Sequence, residues 1–376
     1  MHHIKYFITG GGTGGHIYPA LALVRTLIKT GVDKKDIFYI GNKNNLEYKI
    51  AKDEGLKFLH YDVCGMPRKI SPKLFLFFIK LFAAMFFAFY YAITYKPDVI
   101  FATGGYVCAP ILFVANFLKI PYVLHDCDAH PGIVSRLFSK NAYAQSFAFE
   151  SALEYSKCKN SYCPGNPIRD DFKTLTKDEA RCALNIDGKF VILIMGGSSG
   201  AKKINDCAIS IVQKYKDNKD IEIIWQSGKK NYEEVKKTII EHFSSIPQNL
   251  ILRPYFDNMA QVLMASDVAI SRAGSLSLSE LCAAGLPSVL VPYPYAAADH
   301  QRINAEKMCE TGAAIYLDDN DCTPKSLLDA LDEFILNPKK LKAGAKCAKD
   351  NAKYNAAEEI AKLINEAARK DKKKLK

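Results

Sequence analysis

The stretch FITGGGTGGHIYPALAL, residues 7 to 23, decides the fold. A short apolar run breaks into five glycines and one threonine, then turns amphipathic after a single histidine. Glycines let a chain turn tightly and bring bare N–H groups to a helix N-terminus, whose partial positive charge favours phosphate. The pattern predicts a strand, a phosphate-binding turn at Thr13-Gly14-Gly15, and a helix. His16 would stand on the first turn of that helix. A neutral imidazole there can take a proton from an attacking hydroxyl, or it can simply hydrogen-bond the loop; the residues alone leave both readings open. Gly10, Gly12 and Gly15 also satisfy GxGxxG, but a dinucleotide site wants an acid about 20 residues on, at the end of the second strand. That strand ends FYIGNKNN, so neither nicotinamide nor flavin is expected, nor any other cofactor.

Outward from this turn, strands alternate with helices: KYFITG, DIFYIG, KFLHYDV, DVIFATGG and PYVLHD, then FVILIMGG, IEIIWQSG, NLILRPYF, DVAISRAG and PSVLVPYP. Such alternation argues for parallel sheets covered by helices on both faces. The rhythm breaks at CPGNPIRDDF, residues 163 to 172, and LIMGGSSGAKKINDCAI, residues 193 to 209, then repeats the opening strand–glycine turn–helix. At 376 residues the chain exceeds what one core usually supports. The expected class is α/β, with two Rossmann-like doubly wound domains facing a ligand cleft. The expected domains are residues 1–163 and 164–350, followed by a C-terminal helix and basic tail, 351–376, packing back on the first domain.

Apolar residues make up 49% of the chain and charged residues 24%, which excludes a disordered protein. Eleven cysteines without a CxxC suit a reducing cytosol, and the opening MHHIKYFITG lacks the apolar core of a signal peptide. A net charge of +11, with basic residues outnumbering acidic ones 13 to 6 over residues 1 to 80, favours an anionic partner. No nucleic-acid-binding motif accompanies the charge, so a phosphate-bearing substrate or an anionic membrane surface is expected instead. The run LFLFFIKLFAAMFFAFYYAI, residues 74 to 93, is long enough to span a bilayer. A span would set strands of one sheet on opposite sides of the membrane. The favoured reading is a peripheral helix, basic at its entrance (Arg68, Lys69, Lys73), with one face on a sheet and the other in lipid.

In the second half, Gly196-Gly197-Ser198 is the other expected phosphate turn. AGSLSLSE places Ser275 and Ser277 where they suit a diphosphate, and Glu280 where a carboxylate can accept from a ribose diol. Asp299, His300, Gln301 and Asn304 follow a strand and suit sugar hydroxyls. Asp126-Cys127-Asp128 imitates a DxD metal motif, but it ends a Rossmann-like strand and no metal is expected there.

Taken together, GGTGGHIYPALAL, KPDVIFATGGYVCAP, VLHDCDAHPG, GNPIR, GGSSGA, WQSG, SRAGSLSLSELCAAGLPSVLVP and DHQRINA resemble, in order, the MurG family of peptidoglycan N-acetylglucosaminyltransferases. The resemblance implies the glycosyltransferase B fold and inverting transfer of GlcNAc from UDP-GlcNAc to the C4 hydroxyl of an undecaprenyl-diphosphate-linked MurNAc-pentapeptide, at the inner face of the cytoplasmic membrane. By the same resemblance His16 is the candidate base. Thr13, Gly14 and Gly15 lie between acceptor pyrophosphate and reacting sugar, and Gly11, Gly12, Gly104, Gly105 and Tyr106 form the acceptor loops. Together with Thr13, Gly14 and Gly15, the residues Asp128, Arg169, Ser198, Phe256, Arg272, Ser275, Leu276, Ser277, Glu280 and Gln301 address the UDP-GlcNAc. Phe75, Phe78, Ile79, Phe82 and Phe86 belong to a membrane-facing patch, and cell-wall synthesis proteins are further expected partners. The chain departs from the family at Asp128, where an asparagine is usual, at Ser199, where glutamine is usual, and at Cys108, where serine is usual.

Overall fold

A computed structural model describes residues 3–67, 72–186, 188–197 and 200–374. The chain divides into two compact units, Met1–Ile168 with Asn355–Lys376, and Arg169–Tyr354.

The first unit is built on strands β1 (Tyr6–Thr9), β2 (Ile37–Gly41), β3 (Lys57–His60), β4 (Val99–Ala102), β5 (Tyr122–Asp126), β6 (Ala144–Phe147) and β7 (Ser161–Tyr162). They form a seven-stranded sheet in the order β3-β2-β1-β4-β5-β6-β7, every pairing parallel. β1, β2, β4, β5 and β6 are buried along their whole length, as strands covered on both faces must be. The helices are α1 (Gly14–Lys29), α2 (Leu46–Asp53), α3 (Pro72–Tyr95), α4 (Ala109–Leu118) and α5 (Ile133–Phe138). α3 packs through a seam of small residues, Ala84, Ala88 and Ala92, into a core shared with Ile111, Leu112 and Ala115 of α4. The i, i+4, i+8 spacing puts the alanines on one stripe and leaves the aromatic side chains to the other faces.

The second unit repeats the design with β8 (Phe190–Met195), β9 (Ile221–Gln226), β10 (Leu250–Arg253), β11 (Val268–Ser271), β12 (Ser288–Leu290) and β13 (Ala314–Tyr316), in the parallel order β10-β9-β8-β11-β12-β13. Its helices are α6 (Asp171–Thr174), α7 (Lys177–Leu184), α8 (Lys202–Tyr215), α9 (Tyr232–Phe243), α10 (Met259–Ala265), α11 (Ser275–Ala284), α12 (His300–Glu310), α13 (Pro324–Ile335) and α14 (Pro338–Asp350). Trp225 is wholly buried in its core and donates its indole N–H to Asn205 Oδ1 at 3.0 Å.

Helix α15 (Ala356–Lys374) returns to the first unit, where Ile360, Ile364, Ala367 and Ala368 enter the core formed with α1 and Tyr6 donates its hydroxyl to Asn365 Oδ1 at 2.7 Å. The units divide after Ile168 rather than after Cys163 because Asn166 is tied into the first: its amide donates to Cys127 O at 3.3 Å, and its Oδ1 meets His125 Nε2 at 3.0 Å. Tyr354 stays with the second unit through a hydrogen bond from its hydroxyl to Ala283 O at 2.9 Å.

Candidate functional site

In each sheet the strand order reverses between two neighbours, β1 and β4 in the first unit and β8 and β11 in the second. Loops leaving the carboxyl ends of strands at such a reversal diverge and leave a crevice, the general ligand position in this architecture. Of the sequence-predicted residues, Gly11 to His16 follow β1, Gly104 to Tyr106 follow β4, and Arg272 with Ser275 to Glu280 follow β11; Asp128, Phe256 and Gln301 come after β5, β10 and β12.

In the first unit, Thr13 caps α1 with extended backbone (φ −144°, ψ 158°), its side chain makes no cap hydrogen bond, and the first turn carries no acid. The helix N-terminus therefore presents main-chain donors and its dipole with no acidic side chain in its own first turn. The β4–α4 loop lies directly against it. Thr103 Oγ1 donates to His16 O at 2.7 Å, and a Cβ at Gly105, whose φ is +84°, would stand 2.3 Å from Gly11 O. Only glycine is compatible with that approach. The His16 ring rests on Gly104, where a Cβ would come within 3.1 Å of Cε1. Cys108 donates its S–H to Gly104 O at 3.0 Å, so the thiol still supports the loop, and burial pushes it up to about 12. Tyr39 donates to Gly10 O at 2.6 Å from below.

At the end of β5, burial pushes the His125 imidazole down to about 4; its ring meets Ser146 Oγ and Asn166 Oδ1, both at 3.0 Å. This histidine is neutral and structural. Asp126 is also buried, accepting from Ser135 Oγ and, at 2.8 Å, from Gln145 Nε2, and burial raises its carboxyl to about 6. The first carboxylate of the DCD motif is thus occupied within the fold, while Asp128 is half-buried.

In the second unit, Gly196 and Gly200 are required by close approach: a Cβ would meet Ala201 N at 2.3 Å or Ser227 O at 2.2 Å respectively. Ser198 and Ser199 lie outside the described residues, as do Arg68 and Lys69. Gln226, at the end of β9, joins two loops: its Nε2 donates to Gly197 O at 3.3 Å, and its Oε1 accepts from the Phe256 N–H at 3.0 Å. Sequence reasoning assigned it no role, although it lies in the quoted WQSG. Helix α11 begins at Ser275 behind Gly274, again without an acid in its first turn. One turn further in, the buried Glu280 faces Arg169, with Nε 3.5 Å from Oε1, and Arg169 Nη1 also donates to Asp257 O at 3.2 Å. Burial pushes the Glu280 carboxyl up to about 7 against a smaller downward pull from Arg169. Ser277 and Leu276 are half-buried beside it.

Two residues also brace the loops around the site. Arg272 spends its Nη1 on Val291 O (3.0 Å), Pro292 O (2.9 Å) and Asp319, and lies over the Tyr293 ring, so it braces the loops around the site. Asn304 is wholly buried and donates to Ala273 O at 3.3 Å, which makes it a support for the β11–α11 loop instead of a sugar contact. Gln301 accepts from the Tyr293 N–H at 3.0 Å through Oε1, leaving its amide nitrogen in the same region.

The third feature is a surface. Phe75, Phe78, Ile79, Phe82 and Phe86 of α3 are exposed, Phe82 by 68% and Phe86 by 70%, and Phe117 of α4 adds to them beside Phe89. Helix α3 is 24 residues long and apolar enough, by length and composition, to cross a membrane. So large a contiguous apolar face is uncommon on a protein surrounded by water.

Two parallel sheets that share the order of their first six strands, each with a glycine turn at its reversal, form the two-domain α/β fold of the glycosyltransferase B type. Residues 6–145 match the glycosyltransferase family 28 N-terminal domain and residues 191–360 its C-terminal domain. The UDP-N-acetylglucosamine–N-acetylmuramyl-(pentapeptide) pyrophosphoryl-undecaprenol N-acetylglucosamine transferase of Halothermothrix orenii is 37% identical, over 97% of this chain and 100% of its own. The protein of that name in Desulforamulus reducens is 36% identical, over 96% and 98%. The crystal structure of Acinetobacter baumannii MurG matches with a TM-score of 0.74 at 27% identity, covering 96% of this chain and 99% of that one. The chain belongs to this family of N-acetylglucosamine transferases, the MurG family.

Proposed function

We propose that the protein transfers GlcNAc, with inversion, from UDP-GlcNAc to the C4 hydroxyl of undecaprenyl-diphosphate-linked MurNAc-pentapeptide, converting lipid I to lipid II. The observation that carries the reading is the pair of acid-free helix N-termini at the strand-order reversals, α1 behind the Gly10–Gly15 turn and α11 behind Gly274. Each is suited to one diphosphate.

In this reading the first unit takes the acceptor. Main-chain N–H groups of Thr13, Gly14 and Gly15, with Gly11, Gly12 and the Gly104-Gly105-Tyr106 loop, hold its pyrophosphate and sugar. His16 removes the proton of the attacking hydroxyl. The second unit takes the donor. Glu280 accepts from the ribose diol, Phe256 lines the uracil, Ser198, Ser275, Leu276 and Ser277 surround the diphosphate, and Arg169 holds Glu280 in place. Gln301 addresses the GlcNAc hydroxyls, Asp128 makes a further sugar contact, and Arg272 fixes the loop carrying the serines. Negative charge growing on the departing UDP is stabilised by the α11 N-terminus and main-chain donors.

The exposed face of α3 extends the proposal to location: a peripheral protein on the anionic inner face of the cytoplasmic membrane, where its lipid-linked acceptor lies. The test is incubation of the pure protein with labelled UDP-GlcNAc and separate lipid acceptors. Label is expected in the MurNAc-pentapeptide lipid. Label only in a diacylglycerol would refute the assignment.

A further inference from the structure

Beneath the first glycine turn lies a carboxylate that the chemistry above does not use. Glu47, in the first turn of α2, is wholly buried. Its Oε1 accepts from the Asn42 N–H at 3.2 Å and from Asn45 Nδ2 at 3.3 Å, whereas its Oε2 is buried without a hydrogen-bond partner among the described residues. The side chain is wedged between two chain segments. A Cβ at Gly11 would stand 2.7 Å from Oε1, and one at Gly41 would stand 2.8 Å from Cγ. Asn45 Nδ2 also donates to the Tyr106 hydroxyl at 3.1 Å, and the Tyr106 ring borders Gly12. One carboxylate therefore touches the Gly10–Gly12 turn directly and reaches the Gly104–Tyr106 loop through Asn45.

Burying a carboxylate oxygen without a donor is costly. Its charge also opposes an anionic ligand, so affinity for phosphate is no reason to keep it there. A carboxylate oxygen can only accept hydrogen bonds. The nearest chain that can change its donors is the turn itself: the Gly11 N–H makes only a long, 3.4 Å bond to Gly104 O. We infer that Glu47 is a positioning residue for the acceptor, its Oε2 reserved for a main-chain N–H of Gly11 or Gly12 when the turn closes on the ligand. In that state the remaining N–H groups of the turn face the pyrophosphate, and Tyr106 is held by Asn45 with its own O–H proton directed toward the ligand. This inference rests on the acceptor reading of the first unit.

The full-length protein is compared with Glu47→Gln and Glu47→Ala, measuring kcat and KM for UDP-GlcNAc and for the lipid-linked acceptor, with melting temperature alongside. Glutamine keeps the Oε1 contacts and replaces only the second oxygen. The expected result is an E47Q protein that melts no lower than wild type and keeps its donor KM within about twofold, while kcat/KM for the acceptor falls about tenfold or more, the scale of one hydrogen bond to a charged group. E47A should fall further. Wild-type acceptor kinetics in E47Q would overturn the inference alone. Equal losses toward donor and acceptor with a lowered melting temperature would reduce Glu47 to a structural role and overturn it as well. A wild type that transfers to no lipid acceptor would overturn the functional reading and this inference with it.

Discussion

Glu280 is where the proposed donor chemistry opposes stability, and the conflict can be measured. Burial pushes its carboxyl from 4.5 to about 7, with Arg169 pulling the other way. Below pH 4.5 both folded and unfolded chains hold the proton. As pH rises from 4.5 toward 7 the unfolded chain releases it while the folded chain keeps it, so folding loses about 1.4 kcal/mol per pH unit. The loss totals about 3 kcal/mol and is complete above pH 7. Glu280→Gln removes this dependence. The stability gained by E280Q over wild type should therefore be larger at pH 8 than at pH 5.5, by about 2 kcal/mol. Trp225, the one tryptophan of the chain, lies in the same unit and is buried, so its fluorescence during urea unfolding reports on the right core. The donor should show the opposite preference. If the ionised carboxylate accepts from the ribose, only about a tenth of the protein is competent at pH 6, and UDP-GlcNAc should bind roughly tenfold more weakly there than at pH 8. A stability difference that stays constant from pH 5.5 to 8 would refute the argument.

Three further outcomes follow from the geometry. His16→Ala should lower the transfer rate about 10²- to 10⁴-fold, the usual size of general-base catalysis, with UDP affinity retained; an unchanged rate would refute the base role. Gly105→Ala forces a Cβ to 2.3 Å from Gly11 O at a φ of +84°; unfolding experiments should show a loss of about 1–3 kcal/mol, and acceptor kcat/KM should fall with it, whereas wild-type values for both would show that the loops are not in contact. The double variant Phe82→Glu and Phe86→Glu should sediment far less with anionic vesicles, since each buried phenylalanine contributes about 1.5–3 kcal/mol, while the rate on detergent-solubilised acceptor stays near wild type; undiminished sedimentation would place membrane contact elsewhere.

Much of this protein is legible in its sequence because the relevant signals are local. Most buried parallel strands read as continuous apolar runs, tight turns at helix starts favour glycine, and the alternation of the two places the strands from β1 to β5 and from β8 to β12. β6, β7 and β13 escaped that reading. AQSF and SY are short and polar, and AIY is only three residues long. Their strand character comes from pairing with a neighbour already in place. The glycine turns, His16, Glu280 and the aromatic helix could be singled out because residue type and position within one element suffice to suggest their chemistry.

What side chains do across elements was decided only by folding. The sequence carries no sign that Val291, Pro292 and Asp319 meet the Arg272 guanidinium, and Asn304 reads as a sugar contact until folding buries it under the β11–α11 loop. Gln226 and Glu47 carry no local mark of importance; the one bridges two loops, and the other lies against a glycine 36 positions earlier in the chain. Hydrogen bonding and desolvation depend on distances that the chain sets only when it closes on itself. The sequence therefore determines which groups can act, and the tertiary structure decides which remain available to a ligand.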